Sequence, residues 1–174
     1  MANGIQINRI TNANLYINGG NHLGKAEEFT MPVIKQVMTE HKAIGMHGKV
    51  EFPAGIDKME AKIKWNSFYR DVLVLVANPD AALNMQCRTS MKTYTSAGVT
   101  DEVPVVIFVT GNAKDFPTGN FKQHDNVELE SNFSVTYCKL VINGVTIVEI
   151  DVLANIYKVN DVDMLAKYRA NLGI

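Results

Sequence analysis

Cysteine is nearly missing from this chain. Cys87 and Cys138 are the only two, too few for a disulfide framework and too isolated for a metal site. Each lies within an apolar strand-like pattern, so each reads as a small buried hydrophobe. A cationic excess is also lacking. The formal net charge of −1 argues against a dedicated nucleic-acid binder, which must neutralise phosphates, though not against a surface past which nucleic acid slides. Long apolar runs are absent too: the richest, 72–77 and 103–109, fall far short of a bilayer span. The opening Met1-Ala2-Asn3-Gly4-Ile5-Gln6-Ile7 has neither the basic start nor the apolar core of a signal peptide. Cytoplasmic synthesis and folding is the resulting expectation.

Organised chemistry is equally scarce. His22, His41, His47 and His124 are scattered in loops or ragged segments without a His-x-x-x-His spacing, which predicts solvated surface positions. No G-x-S-x-G elbow, Walker A loop or dinucleotide-binding glycine pattern occurs. Gly111-Asn112-Ala113-Lys114-Asp115 has the look of a guanine-reading motif, yet it falls where a strand should turn or continue, without a phosphate loop elsewhere. The carboxylate pairs Asp101-Glu102 and Glu128/Glu130 sit on polar loops or wet strand faces, where such groups stay ionised. Asn132-Phe133-Ser134 matches a glycosylation sequon without any sign of secretion. The reading has no catalytic residue, no cofactor and no metal ligand, although an enzyme stays open as a rival.

What is present suits one globular β domain spanning 1–174. Hydrophobic residues make up 47% and charged residues 20%, which argues against disorder, and a chain this long buries about 70% of its unfolded surface. Period-2 alternation is clear in two places. Met59, Ala61, Ile63 and Trp65 share a face opposite Glu60, Lys62, Lys64 and Asn66; Leu83, Met85, Cys87, Thr89 and Met91 share a face opposite Asn84, Gln86, Arg88, Ser90 and Lys92. Between them, Phe68, Val72, Leu75 and Val76 have helical spacing, with Asn66 or Ser67 as cap and Pro79 as stop. A strand at 14–17 stops at Asn18-Gly19-Gly20, and 26–30 is expected to pair back onto it. The stretch 33–43 alternates poorly, followed by turns at 45–48 and 53–55 around a short strand at 50–52. Strands are also read at 103–110 and 128–137, with a long loop from 116 to 125.

The last third is the most informative. Asn143-Gly144 between hydrophobic runs is a strong hairpin signal, since both residues tolerate positive φ. Two segments beyond it, 145–150 and 152–159, are apolar on both faces and need cover from a second layer or another copy. Asn160 or Asp161 then caps a short helix with Leu165, Tyr168 and Leu172 in one stripe and Gly173 after its end. Eight or nine strands and one or two short helices make a mainly β fold, a sandwich or barrel.

The run Tyr137-Cys138-Lys139-Leu140, Asn143-Gly144, Val148-Glu149-Ile150-Asp151-Val152, Asn155-Ile156, Lys158-Val159-Asn160-Asp161-Val162-Asp163, Leu165 and Arg169-Ala170-Asn171-Leu172-Gly173 closely resembles the C-terminal region of major tail tube proteins. These belong to contractile-tailed bacteriophages and related phage-tail-like bacteriocins. Asn14-Leu15-Tyr16-Ile17-Asn18-Gly19 is similar to the family's opening strand, and Met31-Pro32 and Gly45-Met46-x-Gly48 to the landmarks after it. Asp161 departs from the pattern, standing where the family often has glycine.

The resemblance implies a subunit that contributes strands to a lumen barrel shared within a hexameric ring. Rings stack into a tube inside a sheath, with baseplate and tail terminator at its ends, a tape measure protein during assembly, and DNA in transit without specific binding. The virion tail, assembled in the host cytoplasm, is the implied location. Gly45, Met46, Gly48 and Phe52, within 33–57, are then candidates for an inter-ring loop. Ile150, Asp151, Asn155, Asp163 and Leu172 are candidates for contacts between subunits. Asn84, Gln86, Ser90, Asn132, Ser134 and Thr136 are candidates for the lumen wall; without the resemblance, these polar faces read as the solvated outside of a monomeric sandwich. Rival functions are a type VI secretion-like tube subunit and a monomeric ligand-binding β-barrel.

Overall fold

Alternating strands bury one face each, and those faces build the core. The computed structural model describes residues 4–174; positions 1–3, part of the stretch read above for a leader, lie outside the described residues. In chain order the elements are β1 (Ile7–Ile17), β2 (Gly20–Asn21), β3 (Ala26–Thr30), β4 (Gln36–His41), β5 (Val50–Ile56), β6 (Met59–Trp65), α1 (Arg70–Val76), β7 (Ala82–Thr95), β8 (Gly98–Ala113), β9 (Leu129–Ile142), β10 (Val145–Asp151), β11 (Ile156–Val159), β12 (Val162–Asp163) and α2 (Ala166–Leu172). The mainly β expectation holds, with more strands than counted from the sequence: β2, β4 and β12 carry no readable alternation.

Ten strands form one antiparallel sheet in the order β12-β11-β10-β9-β8-β7-β1-β2, with a branch through β6 to β3. The fork is at β9, whose residues 129–135 pair with β6 while residues 137–142 pair with β10. Among the described residues no ladder joins β2 or β3 to β12, so the sheet stays open. Inner faces from both branches meet in a core that includes Leu15, Ile17, Ile63, Trp65, Leu83, Met85, Val109, Phe133, Cys138 and Ile150. Each large side chain buried this completely contributes about 1.5–3 kcal/mol. The inner faces read for β6 and for the first half of β7 are buried as expected; Thr89 and Met91 are only half-buried. The Trp65 Nε1–H donates to the buried Ser131 hydroxyl at 3.1 Å, so the one polar atom of the indole costs nothing. Both cysteines are buried and free, and burial raises both thiols, Cys138 to about 11.

Several local expectations are corrected. β3 pairs with β6, not with β1, because the chain leaves β1 through the tight Asn18-Gly19 turn into the two-residue β2 and then moves away. α1 starts after Tyr69 without a side-chain cap; Asn66 instead accepts from the Tyr69 hydroxyl at 2.6 Å and donates to the Gly24 carbonyl at 3.0 Å. The predicted strand at 152–159 begins only at Ile156. Before it, the Asp151 carboxylate accepts from the Leu153 and Ala154 amides, both at 3.0 Å, and Asn155 turns at φ 52°. Asn160 and Asp161, at φ 49° and 61°, form the turn between β11 and β12 rather than a helix cap; two successive positive φ values are the signature of a type I′ hairpin. Asn143-Gly144 and Gly173, the latter at φ 74°, behave as read.

Candidate assembly surfaces

The stretch 33–57 is no irregular loop: β4 and β5 form a separate two-stranded sheet. Its register runs from Gln36↔Ile56 to His41↔Val50, with a shift between Gln36 and Met38 that admits Pro53 to an edge strand. Every residue from 36 to 55 is exposed, including Val37, Met38, Ile44, Met46, Val50 and Phe52. Gly45, Met46 and Gly48 lie in its tip and Phe52 on its stem, where His41 tilts against the ring at 6.1 Å. A lone two-stranded hairpin is marginal in water. At its root, Ile34 and Ile56 pack against the core.

The candidate lumen residues fall on one face, linked by register. Directly opposed residues of antiparallel strands share a face. One row therefore runs Tyr16–Gln86–Phe108–Lys139–Glu149–Lys158 across β1, β7, β8, β9, β10 and β11. Beside it, Asn84 meets Thr110, whose hydroxyl donates to the Asn84 amide oxygen at 3.0 Å, and Thr110 meets Tyr137. Asn112, Ser134 and Glu60 form the next row, then Asn132 and Lys62. A register shift falls between Thr110 and Gly111, where Thr136 is the extra residue. It reverses the phase of β9: Leu129, Ser131, Phe133 and Val135 are buried before it, Cys138 after it. Ser90 lies further along β7, and its hydroxyl donates to Glu102 at 2.7 Å.

This face holds more cations than the polar residues alone suggest; its lysines are paired with carboxylates, whereas Arg88 stacks on an aromatic ring. Glu149 accepts from the Tyr137 hydroxyl at 3.0 Å and from Lys158 at 3.2 Å, with Lys139 at 3.8 Å. Burial opposes ionisation of Glu149, and the Tyr137 hydroxyl and the two lysines outweigh it, holding the carboxyl below its usual range. Burial and the Glu149 charge together push the Tyr137 phenol upward. Arg88 lies over the Tyr16 ring at 5.7 Å. On the branch strands, Lys62 meets Glu130 at 2.9 Å, Lys64 meets Glu128 at 2.9 Å and Lys114 meets Glu60 at 2.7 Å.

The candidate subunit contacts differ in their surroundings. Ile150 belongs to the subunit's own core at 0% exposure; β10 alternates more strictly than its composition suggested. Asp151 is engaged in its own turn, and the Asn155 carbonyl accepts from Arg169 at 2.8 Å. Asp163 is ion-paired with the same guanidinium, which holds its carboxyl below the usual range. Leu172 is exposed. Ile150, Asp151 and Asn155 line an open cleft of ≈ 500 Å³ together with Gly55 and Ile56 at the hairpin root and Leu165 and Tyr168 near the C-terminus.

Sequence reasoning missed one surface, the edge of β1. Residues 7–10 and 13 pair with β7 on one side only, and all of 7–13 are exposed, with Ile7 and Ile10 among them. The alternation Ile5-Gln6-Ile7-Asn8 was the available signal. Histidine placement also differs from expectation: His22 is buried against Trp65. Among the described residues no group of three or more His, Cys, Asp or Glu is arranged to hold a metal ion, and no helix is long and apolar enough to cross a membrane.

Comparison with known proteins places this architecture. Over 162 residues the chain is 26% identical to the tail tube protein of Escherichia phage P2, covering 92% of this chain and 94% of that one. It is 28% identical over 146 residues to the major tail tube protein of Serratia phage KSP20, covering 83% and 82%. Its fold is similar to that of a chain in the sheath-tube complex of the extracellular contractile injection system PVC, with TM-score 0.50 at 13% identity, covering 75% of this chain and 86% of that one. A chain from the extended-state sheath/tube terminator structure of the same system gives TM-score 0.51, also at 13% identity, covering 75% and 91%. The family model of phage tail tube protein FII matches residues 7–173. The chain thus belongs to the phage tail tube protein FII family and serves as a structural subunit of the tube in a virion tail.

Proposed function

We propose that six copies close into a ring and that rings stack axially into the rigid inner tube of a contractile tail. The observation that carries this reading is the β4–β5 hairpin: twenty consecutive exposed residues, with six large apolar side chains and no core of their own. Burying that apolar surface against a neighbouring ring offsets the cost of ordering it. Head-to-tail contact within the ring covers the one-sided edge of β1, and repetition of identical contacts along the axis generates a filament.

The polar face carrying Asn84, Gln86, Ser90, Asn132, Ser134 and Thr136 then lines the lumen. Its lysines each lie within 4 Å of a carboxylate, which leaves few free cations and favours passage of DNA over retention, since binding by counterion release needs free cations. A sheath lies outside the tube, with baseplate and terminator at its ends; tape measure protein occupies the lumen during assembly and DNA during ejection. The role is mechanical, without catalytic residues or cofactor. A monomeric ligand-binding barrel is disfavoured by the open sheet and the unpacked hairpin.

Negative-stain electron microscopy tests the reading. Purified protein is expected to form rings and hollow rods of uniform width; a single low-mass species in sedimentation at high concentration would refute it. Replacing the hairpin tip with Lys42→Ser, Ile44→Ser, Met46→Gly and Lys49→Ser should leave folded subunits that no longer elongate. Tubes of normal length from this variant would remove the hairpin from the ring-to-ring contact.

A further inference from the structure

His22 lies where β2, β3 and α1 meet, and its ring is only 3% exposed. The imidazole stands edge-on to Trp65 with ring centroids 6.0 Å apart. Neither Nδ1 nor Nε2 has a hydrogen-bond partner. A neutral ring tolerates this arrangement far better than a charged one, because burying a cation without acceptors forfeits its hydration.

The charged and titratable groups around it are few. From α1, the Asp71 carboxylate approaches Nδ1 at 3.7 Å, outside hydrogen-bonding distance and on an exposed side chain. That carboxylate is already held by Lys25 at 2.5 Å. From β3, Glu27 and Glu28 line the same cleft as His22, and from β7 the Cys87 thiol. Glu27 is engaged with Lys64 at 3.4 Å.

We propose that His22 is a proton-operated weak point of the subunit: the corner of β2, β3 and α1 closes around a neutral imidazole and loosens when that ring takes up a proton. A charged His22 competes with Lys25 for Asp71, which loosens the tie between α1 and the turn before β3. Since β3 leads directly toward the hairpin, the root of the hairpin is loosened with it. Burial pushes the His22 pKa below its ordinary 6.5; Asp71 offsets part of that and Lys25 adds to it. The sign follows. With the folded value depressed, the stability tied to neutral His22 is fully present above about 6.5 and is lost as pH falls toward the folded value. His41 and His47 lie exposed on the hairpin and His124 in the long loop, none of them at this corner.

The single tryptophan makes the test local, since Trp65 is the residue His22 touches and a protonated imidazole quenches indole fluorescence. The full-length subunit is unfolded in urea at a series of pH values between 7.5 and 5, with Trp65 as probe. In parallel, NMR follows the His22 ring of the folded wild type. The folding equilibrium constant should fall by up to tenfold per pH unit below about 6.5. In His22→Gln, and in His22→Phe where it folds, that dependence should be absent. A folded-state His22 that titrates at or above its ordinary value would overturn the proposal, as would a His22→Gln variant with the wild-type pH dependence.

Discussion

At Gly111 the space for a side chain is missing altogether. A Cβ there would lie 2.3 Å from the Ser134 carbonyl oxygen and 3.1 Å from the Val135 Cα, both backbone atoms. The residue stands at the register shift where β8 and β9 change phase, so the neighbouring strand cannot retreat without undoing the pairing of Thr110 with Tyr137 or of Asn112 with Ser134. Gly111→Ala should therefore destabilise the subunit by about 3 kcal/mol, the upper end for overpacking. Urea unfolding measures this as a lower midpoint at unchanged slope; a midpoint within error of wild type would show that the shift is soft. This position also marks what residue-level reading can reach. Gly111 is visible in the sequence as a glycine within a motif-like run, but the bulge opposite it is not. The uninterrupted alternation through Tyr137 hides the extra residue at Thr136, because Thr and Tyr are both acceptable on a half-wet face. The buried His22 was hidden for a related reason: turn residues surround it, and only the tertiary position of Trp65 and α1 closes over it.

Elements were legible in proportion to how differently their two faces are solvated. β6 and the first half of β7 each pack one face against the core, and their inner residues could be named from period alone. Apart from Ile56 at the root, β4 and β5 pack neither face within the subunit, so little constrained their residues to alternate and only a short strand at 50–52 could be read there. α2 is an intermediate case. Its apolar stripe was readable, yet no residue in the helix is buried in the isolated subunit. With two turns and no packed face, such a helix is marginal by itself. It is held instead by Arg169, whose guanidinium bridges the Asn155 carbonyl and the Asp163 carboxylate. Arg169→Ala should free the amides of Arg169, Gly173 and Ile174 to exchange while the global urea midpoint stays close to wild type. Persistent protection of these amides would mean that a neighbouring copy, and not the guanidinium, holds the helix.

For the whole molecule, the decisive quantity is free positive charge on the face assigned to the lumen. The chain is nearly neutral overall, and Lys139, Lys158, Lys62 and Lys114 each have a carboxylate within 4 Å. DNA approaching this wall meets few cations able to release condensed counterions, so retention should be weak at physiological salt. Adding unpaired cations reverses the argument. Asn84→Lys and Ser90→Lys leave the buried faces of β7 untouched, and repetition of the new charges around each ring builds a basic band. Tubes assembled from this variant should retain duplex DNA at low salt and release it as salt rises, with log K falling by about 0.9 per log unit of salt for every phosphate neutralised. Wild-type tubes should retain almost none under the same conditions. The assay is co-sedimentation of DNA with tubes, combined with nuclease protection, which separates DNA held inside from DNA on the outer surface. Retained DNA that stays nuclease-sensitive would place Asn84 and Ser90 on the outside of the tube and require another face for the lumen.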